Sequence, residues 1–403
     1  MIVLEFKARV KPDQATAIDE AIRTTQFVRN KAVRYWMDNQ KVGKYDLSKL
    51  CKELAEEFPF AKKLNSMARQ AAAERAWSSI SRFYDNCKKG IKPVGFPKFK
   101  KHSRSVEYKT SGWKLLEPKR INFTDGFGIG ELRLIGTYEL VRYDESLIKR
   151  VRLVRRADGY YVQFCIQVNV QVQSEPSQKS VGLDLGLRYF IAASDGSVVE
   201  APQFYRQSEK RLNRANRQKS RKYRKGAKPQ SRNYHKARNR YARKHLRVSR
   251  QRNEWAKRIA YCVIQSNDLV AYVGEACTKC IDLNVKGLVR NRHLAKSISD
   301  AGWSTFRCWL EYFGRKYGKV TVAVPPHYTS QDCSSCGKRV NKALSVRTHH
   351  CPHCGYEADR DVNAAINILR LGLTTVGHTG SYTLGEIGPL AGLEKSCSVK
   401  SGR

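Results

Sequence analysis

The chain has 403 residues, more than one folding unit usually holds, so two or three units are expected, each able to bury a core without disulfides. Its 76 Lys and Arg against 36 Asp and Glu give a formal charge of +40, an excess that self-repels until a polyanion, most simply nucleic acid, neutralises it. The sequence contains no run of 18 or more apolar residues and no signal-peptide pattern, so no membrane partner is expected and the chain reads as soluble, intracellular and cytoplasmic.

From the N-terminus, MIVLEFKARVKP alternates as a strand ended by Pro12, and the next segment repeats Ile18, Ile22, Phe27, Val28 and Val33 at helical spacing. From Leu47 to Asn86 the pattern stays helical; the periodicity by itself favours a packed bundle over the alternative, a helical lobe that reads nucleic acid. GIKPVGFPKFKKHSRSVEYKTSGWK mixes Gly, Pro, Lys and aromatics and reads as an irregular basic connector, whose rings and cations could stack on bases and pair with phosphates. Residues 115 to 172 read as short alternating strands joined by turns such as ADG, which predicts a small antiparallel barrel or sandwich, and EPSQK at 175 to 179 marks a boundary.

SVGLDLGLRYFIAASDGSVVE then predicts two strands, the first broken by Asp184. An acid within an otherwise apolar strand is costly unless it is paired, bound to a cation, or satisfied by a backbone amide at a strand edge. Between Tyr205 and Trp255, twenty Lys and Arg face only Glu209 and Glu254, in two helical halves flanking KGAKPQS, a balance that favours phosphate contact. AKRIAYCVIQSNDLVAYVGE predicts a helix leading into a buried strand, and NRHLAKSISDAGW onward an amphipathic helix and a strand ended by Pro325 and Pro326. Strands alternating with helices make this an α/β unit.

Of twelve cysteines, Cys333 and Cys336 form one CxxC and Cys351 and Cys354 another, fourteen residues apart, the spacing of a closed structural Zn2+ ribbon. His349, His350 and His353 are further donors, though four thiolates already satisfy the ion. In EADRDVNAAINILRLGL, Asp361 sits where it could cap a helix or oppose its dipole. With Asp184 on a first strand and an acid at the end of a later one, it makes the order of an RNase H-like site, in which carboxylates from separate elements converge on Mg2+ or Mn2+.

GLDLG at 182 to 186, LVRNRHLAKSISDAGW at 288 to 303, SQDCSSCG at 330 to 337, VRTHHCPHCG at 346 to 355 and DRDVNAAINI at 359 to 368 together resemble the TnpB family of bacterial insertion sequences, related to compact type V CRISPR nucleases. The resemblance implies a multidomain α/β protein: an N-terminal wedge β-barrel with an inserted helical recognition lobe, then an RNase H-like RuvC domain with an inserted zinc ribbon. On this chain the wedge barrel would span 1–15 and 94–176, the recognition lobe 16–93, and RuvC 177–326 and 358–376. The basic helical insertion would be 205–267, the zinc ribbon 327–357, and 377–403 a disordered Gly- and Ser-rich tail. The implied activity is cleavage of double-stranded DNA matched to a guide RNA and flanked by a short motif, by a monomer that is nucleoid-associated when bound to DNA. The basic run would line the guide and heteroduplex channel. Asp184 and Asp361 would be the first and third carboxylates and Arg347 a phosphate-steadying arginine, while Gln70, Tyr108, Lys109, Thr110 and Ser111 would approach the flanking motif.

The second carboxylate departs from the family pattern. NDLVAY is expected to run straight into Glu-Asp-Leu, yet here VGEACTKCI intervenes before DLNVKG. Glu275 could supply the group, Asp282 could replace it, or the site could be inactive, leaving an RNA-guided DNA-binding repressor. Cys277 and Cys280 are read as small loop residues, with one zinc per chain. A different class of function is a basic RNA-binding ribbon protein or a transposition accessory factor without nuclease activity.

Overall fold

A computed structural model describes residues 1–377 except 93, 118, 139, 170, 228, 275–294 and 344–345. The chain divides into two units, Met1–Val170 and Gln171–Arg403, and each carries the mixed α/β character expected.

In the first unit the alternating N-terminus forms β1 (Ile2–Arg9). Pro12 then occupies the first turn of α1 (Pro12–Asp38), where its fixed φ suits the helix and its missing N–H goes unneeded. Helices α2 (Lys44–Glu57), α3 (Pro59–Lys62) and α4 (Ser66–Lys88) follow, the last capped by Asn65 Oδ1, which accepts from Met67 N at 2.9 Å. Val28, Val33, Leu47, Leu54, Ala76 and Ile80 give these helices a core of their own.

The chain then adds β2 (Ser105–Tyr108), β3 (Trp113–Glu117), β4 (Arg120–Phe123), β5 (Gly130–Ile135), β6 (Ile148–Arg156) and β7 (Gly159–Ile166). With β1 they form a seven-stranded antiparallel sheet in the order β2-β6-β7-β1-β5-β4-β3. Its two edge strands, β2 and β3, are joined by residues 109–112 alone, so the sheet curls until its edges approach, around Phe6, Ile121, Leu132, Val151 and Phe164. Two expectations fail within it. Leu140–Arg142 and Glu145–Leu147 form two 3-10 turns rather than strand, the second started by Asp144, whose Oδ1 accepts from Ser146 N. Residues 167–169 do not extend β7 as strand, because β1 and β6 both begin opposite Ile166.

The second unit contains β8 (Ser180–Asp184), β9 (Tyr189–Ala193), β10 (Val198–Glu200), α5 (Phe204–Arg221), α6 (Arg232–Ser266) and β11 (Leu269–Val273). Then come α7 (Ala295–Ala301), α8 (Trp303–Tyr317), β12 (Val320–Val324), β13 (Thr348–His350), β14 (Glu357–Asp359) and α9 (Arg360–Thr375). The sheet order is β10-β9-β8-β11-β12, with β8 to β10 antiparallel and β11 and β12 parallel to β8. All five residues of β11 are buried, as a central parallel strand requires. Ile259, Ile264, Phe306 and Leu310 of α6 and α8 pack with Phe190 in one core, while Ile368 of α9 packs with Ala271 and Val324 in another.

Three sequence expectations shift. Asp184 is the last residue of β8 rather than an interruption within it. The second basic half and the apolar AKRIAYCVIQS form one helix of 35 residues, whose exposed face is basic before its end turns inward. The amphipathic stretch is two helices, parted at Gly302, whose φ of 66° is a left-handed conformation that glycine adopts without penalty. Among the described residues, no helix is long and apolar enough to cross a membrane.

Candidate metal centres and nucleic-acid surface

Two glycines let α9 lie close on β8 and β11. A Cβ on Gly182 would lie 2.1 Å from the Ala365 carbonyl oxygen, and one on Gly372 would lie 2.4 Å from Ala271 Cβ, so α9 rests on the backbones of β8 and β11. Asp184 leaves β8 half-buried at one side of this contact, and Asp361 lies in the first turn of α9, 8 % exposed.

Asp361 is not the helix cap. That role falls to Asp359, whose Oδ1 accepts from Asp361 N at 2.8 Å and leaves the Asp361 carboxylate to Arg360, at 3.2 Å, and to the site. Burial, and then the charge of Asp361, push Asp184 up to about 7, against the opposing pull of the Leu185 amide and Arg360. Two hard oxygen donors that repel each other in a strongly basic chain fit a divalent cation such as Mg2+ or Mn2+.

Parallel pairing sets Tyr272 of β11 opposite Leu183, so the C-terminal end of β11 runs beside Asp184. Gly274 follows, its N–H donating to Val324 O at 3.0 Å. Glu275, Asp282, Cys277 and Cys280 lie outside the described residues, as does the tail from 378 onward. Arg347 is exposed, and its carbonyl accepts from Arg360 N at 2.7 Å, which places it one residue across the β13–β14 pair from Asp361.

The four cysteines meet. Cys333 and Cys354 Sγ are 3.7 Å apart, Cys336 and Cys351 Sγ 3.6 Å, and all four lie within 4.8 Å of one another. A disulfide needs about 2.05 Å, whereas a tetrahedral ion with about 2.3 Å metal–sulfur bonds has sulfur edges of roughly 3.8 Å. The geometry fits zinc.

Both turns are built alike. Gly337 and Gly355, with φ of 76° and 71°, each donate an N–H at 2.9 Å to the carbonyl of the first cysteine of their pair. The thiols share their protons: against burial, the His353 and Cys354 amides bring Cys351 down to about 6, while against the Lys338 amide, burial and the neighbouring thiols push Cys336 up to about 11. Among the described residues, no histidine joins this cluster, and His349 is buried against Lys342 instead.

Sequence reasoning missed what ties the cysteine turns to the carboxylates. Asn363, fully buried on α9, accepts from Ser334 N and donates to Asp332 O, each at 2.9 Å. One turn on, Asn367 donates to Thr329 O and Asp332 O, and Arg370 reaches Ser334 O. The signal was present in DRDVNAAINI, as two asparagines four apart on a helix face that also packs apolar residues.

The basic run forms a pair of helices. Lys222, which caps the end of α5, and Lys236, Arg240, Arg243, Lys244 and Arg247 of α6 line a groove of about 680 Å³ with no acid among its lining residues. Asp300, also missed, fixes where the pair begins: 6 % exposed, it accepts from Tyr205 N at 2.8 Å and Arg206 N at 3.4 Å and pairs with Arg252 at 3.4 Å.

In the first unit, Gln70 and Glu74 share one face of α4, and Lys109 Nζ reaches Glu74 at 2.7 Å, so Gln70 and the 109–111 link come to one surface on which Thr110 and Ser111 are exposed. Tyr108 does not join them. It is fully buried, with its hydroxyl 2.5 Å from Asp125 and its ring against Phe123, so it serves the core and its assignment to a binding surface is corrected.

Two family models match: residues 163–292 fit OrfB_IS605, described as "Probable transposase", and residues 303–368 fit the "Cas12f1-like, TNB domain". A Streptomyces pristinaespiralis protein named "Putative RNA-guided DNA endonuclease" is 28% identical over 91% of this chain and 89% of its own. The Escherichia coli K12 protein "Putative RNA-guided DNA endonuclease InsQ" is 27% identical over 91% and 92%. Among solved structures, the protein of a Cas12f1-sgRNA-target DNA complex aligns over 88% of this chain and 82% of its own, with a TM-score of 0.52 at 13% identity, a likeness of fold.

Proposed function

Because the chain belongs to the TnpB family, we propose that it is an RNA-guided endonuclease that cuts guide-complementary double-stranded DNA beside a short flanking motif. The observation that carries this reading is the Asp184–Asp361 pair, two carboxylates close enough that one raises the other, kept in a chain of +40 charge. Pure nucleic-acid binding has no use for such a pair. The sheet order, with β8 central, antiparallel on one side and parallel on the other, supports an RNase H-like RuvC domain over 177–326 and 358–376. The curled sheet and the helices with their own core support a wedge barrel and an inserted recognition lobe.

Asp184, Asp361 and Glu275 would hold two Mg2+ or Mn2+ ions, which when bound activate water and stabilise the leaving oxygen of a phosphodiester. The chain's own residues do the positioning. Asp359 fixes the first turn of α9, Arg360 orients the Asp361 carboxylate, and Arg347 extends from the neighbouring strand to steady the scissile phosphate. Cys333, Cys336, Cys351 and Cys354 would hold one structural Zn2+, and the α5–α6 groove would take the backbone of the guide RNA and its heteroduplex.

The test is purification of the full chain with its native RNA, followed by incubation with guide-matched duplex carrying randomised flanks in Mg2+ or Mn2+. Wild type should cut, and Asp184→Ala and Asp361→Ala should bind without cutting. A wild type that binds yet never cuts would establish the repressor instead. Normal cutting by Glu275→Ala would move the second carboxylate elsewhere, with Asp282 next to be replaced.

A further inference from the structure

The connector at 95–104 has no regular structure, yet α1 holds it in place. Asn30 Oδ1 accepts from Lys100 N and Asn30 Nδ2 donates to Lys100 O, both at 2.9 Å, imitating a strand partner. Gln26 Oε1 accepts from Ser103 N at 2.6 Å, and Arg29 Nη1 donates to Lys98 O at 3.2 Å. Lys100 and Arg104 therefore stand on a fixed backbone. They face Arg29 of α1 and Arg75 of α4 across a cleft of about 270 Å³, with Ser103 and Ser105 on its wall.

No acid is among the cleft's lining residues. Arg75 is partly neutralised from behind by Glu107, at 3.0 Å. Arg29 is different: the residue is only 7 % exposed, and its hydrogen bonds go to the neutral Lys98 carbonyl and Asn30 side chain. Burying a cation without a counter-charge is costly, and a fixed ring of cations and hydroxyls is how proteins receive phosphate oxygens. Burial, then repulsion from Arg29 and Arg75, lowers Lys100 from its ordinary value, a cost that a bound anion would relieve.

We infer that the cleft between α1, α4 and the 98–105 connector is a preorganised site for one nucleic-acid backbone phosphate, held by Arg29, Arg75, Lys100 and Arg104. The inference rests on the proposed function for the identity of the polyanion and is independent of the carboxylate site. Guide RNA and target DNA share this chemistry, so the experiment separates them.

The full chain is titrated without added Mg2+ or Mn2+ against a labelled single-stranded RNA and, separately, a labelled DNA duplex, each at several salt concentrations. The variants are Arg29→Met, Lys100→Gln and Arg104→Gln, with Arg23→Gln, an exposed charge on α1 outside the cleft, as control. Each cleft variant should weaken binding about tenfold and lower the slope of log K against log salt by about 0.7 on RNA or about 0.9 on the duplex, with an unchanged or higher Tm. Loss on RNA alone assigns the phosphate to the guide, loss on duplex alone to the target, and loss on both to a site that accepts either.

Folded variants that keep the wild-type slope on both probes overturn the inference, as does an equal slope change in Arg23→Gln. A lower Tm for Arg29→Met with no slope change would reduce Arg29 to a backbone clamp, and Lys100→Gln and Arg104→Gln then decide the matter alone. Guided cleavage is read in a separate assay, so a chain that shows the slope loss but never cuts keeps this site and loses only the nuclease reading.

Discussion

At Asp184, burial and a neighbouring negative charge act in the same direction, and this gives the residue a pH signature. Its folded value of about 7 lies above the ordinary carboxyl value near 3.9, so the folded protein holds this proton more tightly than the unfolded chain. The metal-free protein therefore loses stability as pH rises from about 4 to 7, by up to about 4 kcal/mol, and keeps that deficit above 7. Without added Mg2+ or Mn2+, Asp184→Asn should abolish this loss, seen as a Tm that no longer declines between pH 4 and 7 relative to wild type. Mn2+ should raise the wild-type Tm more at pH 8 than at pH 5.5. Equal declines in both proteins would mean that the carboxyl is not strained. The acid was visible in the sequence because it stands in an apolar strand, but its position at the strand end, where it can face α9, was not.

Among the elements, stability is placed where irregular chain must be held. Glu107 of β2, only 2 % exposed, is shared by Arg75 of α4 and by Arg150 and Arg152 of β6, and so joins helices to sheet. Burial alone would raise this carboxyl, but the three arginines outweigh it and hold it at about 2. Its contribution is therefore complete above the ordinary value near 4.3 and is lost as pH falls towards 2. Glu107→Gln should cost about 3–5 kcal/mol near neutral pH, because three arginines lose their counter-charge. Chemical denaturation at pH 7 and pH 3 would measure this, with the gap between variant and wild type narrowing at the lower pH.

The cysteine turns make the second such joint. Zinc should be found at one per chain, and a second equivalent would assign a role to Cys277 and Cys280. Removing it should loosen Asp332 and Ser334, the residues to which Asn363 and Asn367 bind, and with them the start of α9. Asn363→Ala should lose about 1–3 kcal/mol by stranding buried backbone groups, and should impair cutting more than RNA binding. Equal impairment of both would leave Asn363 with no special tie to the carboxylates. The CxxC pairs could be read from sequence because thiols at that spacing have few other uses. The asparagines were harder to read, since one asparagine in a helix is only a weak helix former and their sole signal is the spacing of four on a face that also packs apolar residues.

Across the whole molecule, charge is organised by unit. The first unit gathers cations behind a connector pinned by side chains, and the second lines a groove between two helices. Nucleic-acid affinity should therefore fall steeply with salt, and Arg240→Glu or Arg243→Glu in the groove should weaken RNA binding and flatten that dependence. An unchanged slope would exclude the groove from phosphate contact. The sequence's alternation and charge runs made both α/β units and the basic helices legible. The curled sheet's order was hidden, because β1 pairs with β5 and β7 far along the chain and nothing local encodes that choice.

The close seat of α9 on Gly182 also sets an order of events during synthesis. Asp184 is translated early in the second unit, but its partner carboxylate comes on a helix that follows the groove helices and the cysteine turns. A nascent chain would thus display its cationic surfaces long before both acids could meet. On the proposed function, capture of polyanion would precede any capacity to cut, and a product released before α9 would be a holder of nucleic acid with half a blade.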